Sequence, residues 1–108
     1  MENRREPRVA LELLVRTWGM AANLRAFSQN ARITNLSTQG ATLAGLEQQV
    51  RIGDVIVVQF GDKKARFRVV WTHDTPLIDG FRACIHIVPA QECPWKSQLD
   101  AQVRLGHG

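Results

Sequence analysis

Between Val9 and Arg16 the chain changes character at every step: Val9, Leu11, Leu13 and Val15 fall on one face, and Ala10, Glu12, Leu14 and Arg16 on the other. A period of two residues marks a β-strand with one buried face, so a first strand is expected from Val9. Trp18-Gly19-Met20 then reads as a loop. Ala26 to Thr34 forms a second strand with Phe27 and Ile33 as inward anchors, and Ala41 to Leu43 a short third one. Arg51-Ile52-Gly53-Asp54 is a turn signal. The run Val55-Ile56-Val57-Val58-Gln59-Phe60 behind it is short and β-branched, which favours strand over helix. Gly61-Asp62 followed by Lys63-Lys64 makes a compact hairpin turn. Phe67, Val69 and Trp71 next alternate with Arg66, Arg68 and Val70, giving a long strand with a basic outer edge in which Trp71 is expected to help hold the fold together. After a break from Thr75-Pro76 to Asp79-Gly80, Phe81, Ala83, Ile85 and Ile87 alternate with Arg82, Cys84, His86 and Val88, and Pro89 ends this last strand.

Pro94 suits the first turn of a helix, and Leu99 and Val103, four residues apart, share one face of it. A short C-terminal helix packing on the mouth of a barrel follows. Some six short strands with turn signals at close intervals argue for an all-β fold, an antiparallel barrel or sandwich. Residues 1–8 show no apolar periodicity, and Pro7 keeps Glu6 out of helical geometry, so this segment reads as a flexible N-terminal arm. The expected layout is therefore arm 1–8, barrel 9–88 and C-terminal helix and tail 89–108.

A chain of 108 residues suits one small domain with a single core. Its formal net charge of +4 points toward an anionic partner. The N-terminus is charged, no long apolar segment follows it, and no run is long enough to span a bilayer, so a cytoplasmic protein without membrane insertion is expected. The two cysteines, Cys84 and Cys93, lack metal-ligand spacing and read as small, buried or half-buried thiols. His73, His86 and His107 fall on a loop, a strand and a tail without a nucleophile beside them, so neither catalysis nor a cofactor is expected. Glycines sit singly at turns rather than in a phosphate-cradling loop. Stacking on single-stranded nucleic acid needs several exposed aromatics, whereas Phe27, Phe60, Phe67 and Trp71 occupy inward or mixed positions.

Two stretches remain that the fold alone does not require. Arg4-Arg5-Glu6-Pro7-Arg8 precedes the first strand, and Asn35-Leu36-Ser37-Thr38-Gln39-Gly40 follows the second. Asn and Ser side chains hydrogen-bond nearby backbone or a ligand, and glycine permits a positive φ or a close approach to its backbone. Read together, the pair resembles the PilZ family of bacterial cyclic di-GMP receptors. That family carries RxxxR in an N-terminal arm and [DN]xSxxG at a strand end of a six-stranded barrel. The resemblance extends over Arg4 to Val88, including Gly53-Asp54-Val55 entering an apolar strand and Val69-Val70-Trp71 in a later one. It departs in the last strand, where the family commonly has a glycine and this chain has Cys84.

The resemblance implies a PilZ-like six-stranded antiparallel barrel that binds cyclic di-GMP, a second messenger. Arg4 and Arg8 would clamp phosphate or guanine with Arg5 assisting, while Asn35, Ser37 and the Gly40 backbone hold a base or ribose. Guanidinium forks match both phosphate oxygens and the O6/N7 edge of guanine, which an ammonium group matches less well. Ligand binding is expected to order the arm and create a surface for a protein effector or a second copy of the chain. Two other readings stay open: a PilZ-like interaction module that binds no nucleotide, and a general anion or nucleic-acid binder using Arg66, Arg68 and the arm.

Overall fold

A computed structural model describes residues 11–73 and 80–106. The arm 1–8 with Arg4, Arg5 and Arg8, Val9 itself, most of the break at Thr75–Asp79, the side chain of Val103, and His107 lie outside the described residues; Leu11 and Glu12 are described and precede the first strand, which begins at Leu13, later than the expected start.

The strands are β1 (Leu13–Met20), β2 (Ala26–Thr34), β3 (Gly40–Leu46), β4 (Val55–Phe60), β5 (Lys63–Thr72) and β6 (Phe81–Ile87), followed by one helix, α1 (Lys96–Gly106). They close into an antiparallel six-stranded barrel in the order β1-β2-β3-β6-β5-β4, sealed by pairing of β1 with β4. Closure leaves no open sheet edge. It also explains the alternation, because each strand sends every second side chain into one interior. Ile33, Leu43, Ile56, Val58, Phe67, Val69 and Ile85 fill that interior, with Phe27 packed against it.

Several local expectations are corrected. Trp18-Gly19-Met20 is not a loop: β1 runs through it, Trp18 pairing with Ser28 on one side and Val57 on the other. Glycine is needed there because a Cβ on Gly19 would come within 2.8 Å of Ile56 Cγ2, and Thr17 hides the apolar rhythm by pointing inward with its hydroxyl donating to Val57 O at 2.9 Å. The third strand is longer than Ala41 to Leu43. A bulge between Leu43 and Leu46, with Gly45 at φ 82°, inserts an extra residue and shifts the period-two pattern midway.

Another correction concerns Trp71. Between Val69 and Trp71 the register of β5 against β6 slips, Val69 facing Ile85 and Trp71 facing Cys84. That bulge reverses the parity of the strand, so Trp71 stands on the outer surface, 49% exposed. Lys63 and Lys64 likewise belong to β5 rather than to the turn: Phe60 pairs with Lys63 across the two residues Gly61-Asp62, and Gly61 has the positive φ (64°) such a tight loop demands.

The C-terminal segment closes one end of the barrel. Pro94 lies in the turn just before α1 instead of inside it. Trp95, fully buried, stacks on Phe67 with centroids 5.1 Å apart and planes 13° from parallel, and Cys93 and Leu99 join the same cluster. Neither cysteine is in a disulfide; Cys93 is buried and Cys84 half-buried. Among the described residues no helix is long and apolar enough to cross a membrane.

Candidate functional site

The motif turn leaves β2 at Thr34. Asn35 is exposed and adopts a left-handed conformation (φ 51°), tolerable for an Asn, and so turns the chain over the barrel rim. Leu36 then drops into the core and pins the turn from below. Ser37 comes next and is only 4% exposed. Its hydroxyl accepts the backbone N–H groups of Gln39 (3.1 Å) and Gly40 (3.2 Å), while its own N–H donates to Gly40 O at 2.9 Å. Such side-chain capture of backbone donors is what a Ser supplies at a tight turn. Ser37 therefore shapes the turn from inside, and Asn35 and Gln39 are the side chains it leaves at the surface.

Gly40 opens β3 under a steric demand of its own. A Cβ there would run into the Ile85 carbonyl oxygen and come within 2.9 Å of His86 Cδ2. The close approach that glycine permits is made by β6 of the same chain, not through a positive φ.

Two connections tie this turn to the rest of the molecule. The Ser37 carbonyl accepts the Trp95 indole N–H at 2.9 Å, with the Cys93 thiol 4.0 Å away, so the segment entering α1 is fastened to the underside of the motif. Leu13 pairs with Ile33, two residues before Asn35, and Glu12 forms an ion pair with Arg32 at 3.0 Å. The chain preceding β1 thus joins the barrel at the rim that carries the motif.

Beyond the turn, the pairing registers lay out an outer face. Thr34, Thr42, Cys84 and Trp71 form one row across β2, β3, β6 and β5, and Gly40, His86 and Arg68 form the next. At about 4.8 Å per strand the first row is roughly 14 Å wide. His86 and Arg68 are exposed, Arg68 donating to Gly53 O at 2.8 Å, and the Trp71 ring meets His73 edge-on at 4.7 Å. The surface thus offers hydroxyls, an imidazole, a guanidinium and an indole beside the motif. Cys84 lies between Thr42 and Trp71.

Of the residues singled out in the sequence, Asn35, Ser37 and Gly40 are brought together in one turn. Arg4, Arg5 and Arg8 lie outside the described residues. Sequence reasoning missed Trp71 as a surface group, because the bulge that turns it outward leaves no trace in the alternation. It also missed Trp95, which sits in no periodic run. Among the described residues no group of three or more His, Cys, Asp or Glu side chains is placed to hold a metal ion. No protein-family model, no curated protein and no solved structure matches the chain.

Proposed function

We propose that this protein is a PilZ-like receptor for cyclic di-GMP, working in the bacterial cytoplasm and without enzymatic activity of its own. The observation that supports the reading is where the described chain enters the barrel: Leu13 lies in register with Ile33, two residues before Asn35, so the residues leading into β1 approach the end of β2 that carries the Asn35–Gly40 turn. Guanidinium groups from the arm and the rim of the turn then meet one doubly charged ligand from two sides. Asn35 offers its amide, Gly40 and its neighbours offer backbone, and Ser37 holds both in place rather than touching the ligand. Trp71, His86 and Arg68 give the guanines a surface on which to stack and bond.

The energetics favour a switch. Ordering backbone costs about 1–2 kcal/mol per residue, and few apolar side chains in Asn3 to Arg8 offset that cost. Charge-assisted hydrogen bonds contribute roughly 1.5–3 kcal/mol each, so several arginine contacts to a dianion suffice to order a short arm. The ordered arm then presents a new surface to a protein effector or a second copy.

Calorimetric titration with cyclic di-GMP tests this, using wild type and Arg8→Ala. Saturable binding that Arg8→Ala nearly abolishes without altering the melting temperature supports the reading. Equal affinity in both proteins would remove the arm from the site, and comparable, steeply salt-dependent binding of unrelated oligonucleotides would make the protein a general anion binder.

A further inference from the structure

Along the outer face of β1, Leu14, Arg16 and Trp18 point outward at every second position. Neighbouring strands extend this stripe sideways, with Arg16 in register with Gln59 and Gln59 with Lys64, and Trp18 with Val57 and Val57 with Arg66. Two depressions open there. One, of about 700 Å³, is lined by Leu14, Arg16, Trp18 and Asn30 among others; the second, of about 350 Å³, by Trp18, Val57, Lys64 and Arg66. Trp18 lines both and forms the wall between them.

Among the described residues, none covers this face. Leu14, near the start of β1, is 74% exposed. The Arg16 guanidinium donates to Asn30 Oδ1 at 3.2 Å and Ser28 Oγ at 2.8 Å, neutral acceptors that hold its position without cancelling its charge. Lys64 Nζ stands 5.8 Å from the centre of a Trp18 ring. Among the described residues, no Asp or Glu lines either depression, and Arg16, Lys64 and Arg66 have no carboxylate partner.

We infer that this face docks an extended, acidic segment of a protein partner, with apolar side chains set against Leu14, Trp18 and Val57 and carboxylates facing Arg16, Lys64 and Arg66. Leu14 to Trp18 covers roughly 13 Å of strand, and an extended peptide repeats its side chains at the same two-residue spacing. Complementary charge selects the occupant. A second copy of a chain with net charge +4 fits poorly, as does this chain's own residues 1–10, with three arginines against two glutamates. A single indole is a meagre platform for single-stranded nucleic acid, which stacks on several rings in succession.

The inference does not depend on cyclic di-GMP, and its test omits that ligand. A fluorescein-labelled peptide of about ten alternating Leu and Glu residues is titrated by anisotropy, while the Trp18 indole N–H is followed by NMR. Saturable binding that moves the Trp18 signal is expected. It should weaken at least about tenfold in Leu14→Asp and in the double variant Lys64→Glu, Arg66→Glu, both keeping the wild-type melting temperature because these side chains are exposed. Absence of binding, equal binding of a Leu-Lys peptide, or indifference to both variants would overturn the inference. Displacement of the peptide by oligothymidylate at lower concentration would make the face a nucleic-acid surface instead.

Discussion

Ser37 and Arg8 answer to different physics, and substitutions should separate them. The Ser37 hydroxyl is buried and satisfies two backbone donors, so Ser37→Ala leaves both unpaired in a site closed to water. The expected loss is about 1–2 kcal/mol of folding stability, read by urea denaturation, with ligand affinity falling because the turn loosens. Arg8→Ala should leave the denaturation midpoint unchanged. Unaltered stability in Ser37→Ala would show that the turn does not rest on that hydroxyl. Gly40→Ala is the harsher change. Its methyl collides with the backbone of β6, so a loss near or above about 3 kcal/mol is expected in thermal melting. Trp71 behaves oppositely: its exposed ring makes Trp71→Ala worth less than about 1 kcal/mol, although the alternation in the sequence argues for an unfolded protein. A large drop in melting temperature would return Trp71 to the core.

Which elements were legible follows from how they are built. β2 and β4 have the boundaries the sequence suggests, since their turn residues and apolar runs coincide with the ends of pairing. β3 and β5 were harder because bulges break their period, and the continuation of β1 was masked by an inward threonine and a glycine required by a neighbouring strand. In the motif, the sequence marks the turn but not its anchorage, because the Ser37 carbonyl is held by Trp95 from 58 residues further along the chain. That contact makes α1 part of the motif's support. Trp95→Ala removes the stack on Phe67 and the bond to Ser37 O, at an expected cost of about 3–5 kcal/mol. Trp95→Phe keeps the stack and loses the bond, so it should cost far less in denaturant while still weakening the ligand. Equal stability losses in the two variants would mean that the indole N–H, not the packing, dominates.

For the whole molecule, the closed barrel carries two unlike surfaces that adjoin along β5: a polar rim with the motif turn by β2, β3 and β6, and a basic, apolar-striped face on β1, β4 and β5. In the function proposed above, the rim would take the dinucleotide and the striped face a protein partner. If the arm is the moving part, amide exchange in Asn3 to Arg8 should slow on adding cyclic di-GMP while exchange in β4 stays constant; equal rates with and without ligand would exclude the switch. The most direct measurement of the central claim is calorimetric titration of the folded 108-residue chain with cyclic di-GMP. Saturable heat that disappears in Arg8→Ala is what the account predicts, and a flat titration at high ligand concentration from protein with an intact melting transition would contradict it.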